Sequence, residues 1–140
     1  MSCLQIKKYE GNYDKAEFYS IMGKYFAEKK YKKEMPYLEN SENHIWFVAF
    51  FEGEVIGFGS VTKLKRKTVL SHSYVEEDHR RQGVWNTINE KRLTHAQRIG
   101  KPIEVITKEP HLKEYWMEKG FSVYRTNGRY SYLRRIDNEN

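Results

Sequence analysis

The segment from Thr68 to Thr107 constrains the fold more than any other part of the chain. Thr68 to Val75 reads as a strand. A polar connection follows, Glu76-Glu77-Asp78-His79-Arg80-Arg81-Gln82-Gly83, and the apolar period then changes from two to 3.6. Val84, Trp85, Ile88, Leu93, Ala96 and Ile99 line one face of a helix that stops at Gly100, and Ile103 to Thr107 is again a short strand. A strand, a helix and a second strand in this succession make a right-handed crossover between parallel strands.

The flanking segments supply the rest of a sheet. Cys3 to Lys8 reads as a first strand. Asp14-x-x-Glu17 has the spacing of a capping box with aspartate as the cap, and Phe18, Ile21, Met22 and Tyr25 carry a helix from about Asp14 to Tyr31. The polar stretch from Pro36 to Asn43 reads as a loop. Ile45 to Phe51 and Val55 to Leu64 form a hairpin about Glu52-Gly53-Glu54, and Lys63 to Lys67 is a basic hairpin tip. Pro110 opens a further helix on which Leu112, Tyr115, Trp116 and Lys119 share a face, and Gly120 ends it. Phe121 to Arg125 and Arg129 to Arg135 close the chain around Asn127-Gly128. The order β-α-β-β-β-α-β-α-β-β predicts an α/β fold: a mixed, mostly antiparallel sheet with a central parallel β-α-β unit and helices on both faces. One domain over residues 1–136 and a polar tail at 137–140 are expected.

Composition removes several classes. The single cysteine, Cys3, allows no intramolecular disulfide, zinc-ligand spacing is absent, and no metal is expected. The reading is a reducing, cytoplasmic setting. Neither an apolar leader core nor a run of membrane-spanning length occurs, so no membrane partner is expected. Twenty-five Lys and Arg against 19 Asp and Glu give a net charge of +6, which attracts anions, nucleic acid and polyphosphate cofactors alike. Eleven tyrosines beside these lysines offer either a stacking surface for bases or simply an aromatic core.

The connection before the central helix carries the chemistry. A helix start offers unpaired N–H groups and the positive end of a dipole. Gly83 lets an anion approach the backbone there, and Arg80 and Arg81 add charge, so the turn has the makings of a phosphate cradle. An ordinary strand-to-helix connection with solvated arginines has the same composition, and Glu76 and Glu77 read as solvated turn residues.

The stretch from Val75 to Ile88 resembles the central motif of the GNAT acetyltransferases, Arg or Gln, two residues, Gly, one residue, then Gly or Ala. Arg80, Gly83 and Trp85 occupy its three defined positions, and Val75 falls where that family ends its fourth strand. Tyr115-Trp116-Met117-Glu118-Lys119-Gly120-Phe121 resembles the family's later helix, and Glu52 to Gly57 its acidic-Gly hairpin. The resemblance implies acetyl-CoA as co-substrate. Its pyrophosphate would lie on the backbone of Arg81, Gln82, Gly83, Val84 and Trp85 with Asn86 assisting, and its pantetheine beside the strand ending at Val75. The acyl group would sit between the parallel strands, open to attack by an amine.

Three positions depart from the family pattern. Trp85 stands where the family has a small residue; a tryptophan there either blocks the approach of the phosphates or turns away into the core, which its register with Ile88 favours. Trp116 stands at the family's usual acid, a tyrosine, which leaves its neighbour Tyr115 as the candidate acid, a phenol suited to protonating a thiolate. Glu109 replaces an asparagine. No carboxylate lies in the strand before the turn, so His72 is the candidate base, with Ser71 and Ser73 as water relays. The acceptor-side segments, Lys29 to Lys33, Lys63 to Lys67 and Arg125 to Arg135, are basic. They favour an amine carried on an anionic macromolecule such as nucleic acid, or serve solubility alone. Relatives are often homodimers. The alternative to an N-acetyltransferase is a GNAT-fold binding module for nucleic acid or protein that has lost transfer.

Overall fold

Two left-handed residues, Glu52 and Gly53, reverse the chain between β2 (His44–Phe51) and β3 (Glu54–Lys63), and the sheet grows outward from that hairpin. The computed structural model describes residues 4–137. They form β1 (Leu4–Tyr9), α1 (Lys15–Ala27), α2 (Lys29–Glu34), β2, β3, β4 (Thr68–Val75), one 3-10 turn (Glu77–His79), α3 (Val84–Ile99), β5 (Ile103–Thr107), α4 (Pro110–Glu118), β6 (Ser122–Asn127) and β7 (Tyr130–Arg135). The strands make one seven-stranded sheet in the order β1-β2-β3-β4-β5-β7-β6, antiparallel throughout except for β4 and β5. No helix among the described residues is long and apolar enough to cross a membrane.

Strand alternation feeds two cores. Ile45, Phe47 and Ala49 of β2 join Val61, Leu70, Val105 and Leu133 under Ile88 and Ala96 of α3 and Trp116 of α4. The residues between them, Trp46 and Val48, join Phe58 and Tyr74 under Phe18, Met22 and Tyr25 of α1 and Tyr31 of α2. Helices therefore cover both faces, as the sequence predicts.

The predicted helix from Asp14 to Tyr31 is two helices. Glu28 is extended (φ −79°, ψ 139°) and breaks it, which turns Tyr31 back beneath the sheet. Asp14 caps α1 by accepting from the Glu17 N–H at 3.2 Å, but the capping box is half made. The Glu17 carboxylate goes to Lys7 and to the Tyr9 hydroxyl of β1 instead. Cys3 and Asn138 to Asn140 lie outside the described residues, and Asp137 pairs with Arg135.

Glu76 is not a solvated turn residue. Its carboxylate accepts the hydroxyls of Tyr25 at 2.6 Å and Tyr31 at 2.7 Å, with Lys24 at 4.0 Å. The phenols and the lysine hold its pKa below the ordinary carboxylate value against the opposing effect of burial. This joint fixes the end of β4 to α1 and α2.

Two glycines let α3 lie close against β3. A Cβ on Gly57 would come 2.8 Å from the Tyr74 carbonyl oxygen. One on Gly59 would come 2.7 Å from Ile88 Cγ2 and 2.9 Å from Arg92 Cδ. Gly59 also sits beside a bulge. It pairs with Ser73 whereas Val61 pairs with Leu70, so Ser60 stands opposite both Ser71 and His72. Gly59→Ala should destabilise the protein by about 1–3 kcal/mol through overpacking. Gly23→Ala, inside α1 with nothing within 4 Å of the new methyl, should stabilise it by up to about 1 kcal/mol. Urea unfolding of the two variants checks the contrast.

Candidate active site

β4 and β5 are paired only at Thr68 with Ile103 and at Val69 with Glu104, whereas β5 pairs with β7 along its whole length. Each strand stays with its antiparallel partner and the two part beyond Val69. A cleft of about 860 Å³ opens at their diverging ends, between the turn before α3 and the start of α4. Its volume is in the range of sites that take a cofactor-sized molecule.

One end of the cleft is the turn from Arg80 to Asn86. Arg81 (φ 64°) and Gly83 (φ 81°) are both left-handed. Left-handed residues within a short turn direct successive N–H groups to one side, as in anion-binding nests. Gly83 is the N-cap of α3 and no side chain caps that helix, so the N–H groups of its first turn have no intrahelical partner. A Cβ on Gly83 would meet nothing within 4 Å, so the backbone there faces open space. The turn thus has the donors and the access that a pyrophosphate requires.

Among the residues singled out in the sequence, Val75, Arg80, Arg81, Gly83, Trp85, Asn86 and Tyr115 line this cleft. Gln82 does not, and is exposed beside the turn. Val84 is buried in the core, leaving only its backbone for a ligand. Arg80 turns back onto the protein: its Nε donates to the Val75 carbonyl at 2.7 Å and its guanidinium lies 3.7 Å from Glu34. Both arginines are exposed, and Arg81 is the one with no ion pair among the described residues.

Trp85 does not turn wholly into the core. Its indole N–H donates to Ser73 Oγ of β4 at 3.2 Å, and its ring packs edge-on against Tyr115 of α4 at 5.1 Å. It reaches from β4 to α4 and narrows the cleft between them. On α4, Trp116 is buried at 1% exposure against Phe121, and its neighbour Tyr115 faces the cleft. Glu109, the N-cap residue of α4, and His111 line the same wall.

His72 is not among the residues lining the cleft. It sits in the β4 bulge on the α1 side of the sheet, its ring parallel to Trp46 at 5.9 Å and to His44 at 5.7 Å. Burial, then the nearby His44 and Arg92, push its pKa down to about 4. Ser71 is tied to Ser60 and Thr62 at 2.7 Å each, and Ser73 to Trp85.

Two residues that the sequence reading passed over complete the site. Asn89 is fully buried on α3 and its Nδ2 donates to the Tyr115 oxygen at 2.7 Å. Arg92, at 2% exposure, donates to Asn89 Oδ1 at 2.9 Å and to the carbonyls of His72 and Ser60 at 3.1 and 3.3 Å. Both stand on the apolar stripe of α3, beside Ile88 and Ala96. A polar pair inside such a stripe is the signal that marks them.

The sequence profile of the acetyltransferase (GNAT) family matches residues 15–123, from α1 into β6. Among solved structures, an acyl-CoA N-acyltransferase from Pseudomonas aeruginosa superposes with a TM-score of 0.76 at 16% identity, covering 96% of this chain and 100% of its own. Escherichia coli ElaA does so at 0.73 and 16%, covering 95% and 99%. The PaiA N-acetyltransferase of Thermoplasma acidophilum, solved in complex with coenzyme A, does so at 0.65 and 14%, covering 96% and 99%. At such identities the likeness is one of fold. No curated protein matches.

His72 sets an acid limit on stability. Its folded pKa lies below the ordinary value of 6.5, so the unfolded chain takes up the proton first as pH falls. The cost to the folded state is absent above about pH 7, grows from about pH 6.5 and levels off below about pH 4. By pH 5 it amounts to about 2 kcal/mol. Denaturant unfolding at pH 7 and pH 5 should show this loss, and the His72→Gln variant should lose less between the two.

Proposed function

Since the chain belongs to the acetyltransferase (GNAT) family, we propose that it is an N-acetyltransferase that uses acetyl-CoA and a primary amine. The observation that carries this reading is the cleft between the parted strands, with an open donor turn at one end and a tyrosine on its wall. Bound acetyl-CoA supplies the acyl group as a thioester, whose carbonyl carbon a neutral amine attacks as the C–S electron pair leaves on sulfur.

The roles of the chain's own residues follow from their positions. The N–H groups of Gly83, Val84, Trp85 and Asn86, with the Arg81 guanidinium, hold the pyrophosphate oxygens. The β5-facing edge of β4 beyond Val69 has no strand partner among the described residues, and its backbone is available to the pantetheine amides and the thioester carbonyl. Tyr115 gives its hydroxyl proton to the departing sulfur and recovers one from solvent. The acceptor's ammonium proton goes to water before attack, and the second proton that the nitrogen sheds as the amide forms goes to water as well. His72 lies outside the cleft, and a ring held near 4 is too weak a base for an alkylammonium.

The exposed Lys29, Lys30, Lys32, Lys33, Lys65, Arg66, Arg125 and Arg129 support an acceptor that presents its amine on an anionic macromolecule, nucleic acid included. Lys67 and Arg134 contribute less to such a surface, because both are paired with the buried Glu104 at 3.0 Å.

A second reading rests on Trp85. Its ring bridges Ser73 and Tyr115 across the cleft, and a ring fixed there would leave a binding module on the same scaffold. Calorimetric titration with acetyl-CoA separates the two. Micromolar binding is expected in the wild type, with a loss of at least about 100-fold in Gly83→Glu, where a carboxylate would meet the pyrophosphate and the left-handed backbone would be strained. No binding in the wild type leaves the module reading. Tyr115→Phe should bind acetyl-CoA within about threefold of wild type and lower kcat by about 10²-fold or more. Equal turnover would remove Tyr115 from the mechanism.

A further inference from the structure

We propose that Asn89 and Arg92 are positioning residues that make the Tyr115 oxygen a hydrogen-bond acceptor and so keep its hydroxyl proton free for the cleft. The inference rests on the role given to Tyr115 above.

Arg92 is a fully buried guanidinium with no carboxylate partner among the described residues. A guanidinium has only donors. One terminal nitrogen donates to the carbonyls of Ser60 and His72, and the other donates to Asn89 Oδ1 at 2.9 Å. The Asn89 amide is thereby fixed. Turning it over would set its NH2 group against the guanidinium, donor facing donor, at a site without solvent.

With Oδ1 committed to Arg92, Asn89 can offer Tyr115 only its Nδ2, and it does so at 2.7 Å. The phenol oxygen must accept. Among the described residues nothing accepts the Tyr115 hydroxyl proton in return, and the residue lines the cleft. Had the buried partner been an acceptor, the proton would be held between α3 and α4 and withheld from the cleft. The chain from Arg92 to Asn89 to Tyr115 therefore links a bulge carbonyl of β4, that of His72, to the acid on α4.

The test reverses the polarity without changing the shape. Asn89→Asp is isosteric and pairs with Arg92, yet it can only accept from Tyr115. The free protein, labelled at tyrosine Cζ, is titrated by NMR across the alkaline range. The Tyr115 resonance is identified as the one lost in Tyr115→Phe. It should titrate about one pH unit or more higher in Asn89→Asp than in the wild type, a tenfold or greater gain in proton affinity. Asn89→Leu, which removes the donor and adds no charge, should shift it in the same direction by less, and serves if the aspartate variant does not fold. An added carboxylate raises a phenol's pKa whatever the native bond direction, so Asn89→Leu decides: a Tyr115 resonance that titrates with or below the wild type in that folded variant overturns the proposal. This readout needs neither acetyl-CoA nor an acceptor. If Tyr115→Phe turns over like the wild type, the acid role fails while the titration still decides the hydrogen-bond direction.

Discussion

The guanidinium of Arg92 holds together the part of the sheet on which the site depends. The β3–β4 bulge turns the carbonyls of Ser60 and His72 toward the buried guanidinium on α3, and a buried carbonyl without a donor costs about 1–3 kcal/mol. Arg92 supplies both bonds. Burial lowers its pKa to about 10, which still leaves it charged at neutral pH. Gly59 makes the bond possible, because any side chain there would occupy the space of the Arg92 stem. The bulge, the glycine and the arginine are one device. The bulge re-aims the far half of β4, which runs on with β3 while β5 stays with β7, and the cleft is what their divergence leaves.

The opposite face is held by a different chemistry. Glu76, at the end of β4, draws two phenols and a lysine from α1 and α2, and Glu104, early in β5, takes Lys67, Tyr124 and Arg134. In both cases a carboxylate, buried at Glu104 and partly buried at Glu76, keeps its charge because several donors converge on it. These two anchors lie at opposite ends of the parallel pair: Glu104 beside the two residues where β4 and β5 are still joined, Glu76 where β4 runs into the turn before α3. Between them the strands carry no mutual bond.

The order of elements was legible in the sequence because periodicity reports burial. β4, α3 and β5 emerge close to the bounds set by the change from alternation to a helical stripe, and the hairpin at Glu52-Gly53 follows from its glycine. Sequence periodicity has no access to side-chain rotation and partner choice. The spacing on α4 put Tyr115 and Trp116 on one face, and only the packing of Trp116 against Phe121 decides which of them meets the cleft. Trp85 stands in register with Ile88, yet the Ser73 hydroxyl draws its indole edge outward. Gly59 read as a residue of a strand, since a glycine's reason lies in the helix that lands on it. Glu76 read as solvated because both phenols that bind it come from about 50 residues earlier.

Trp85, Asn89 and Arg92 fall at successive turns of α3, so one helix carries the ring that spans the cleft, the amide that holds Tyr115 and the cation that fixes the bulge. Such a stripe cannot slide without moving all three. A shift of α3 toward the turn would draw Arg92 from the His72 carbonyl and Asn89 from the phenol together, at the cost of leaving buried donors unpaired. Movement of the Trp85 ring is different in kind. It gives up one hydrogen bond to a hydroxyl at the edge of solvent and an edge contact with Tyr115, each worth about 1 kcal/mol. The helix is thus the fixed member of the site and the indole its adjustable one. A large side chain at a position where the family has a small residue is compatible with ligand entry so long as the ring, and not the helix, does the moving.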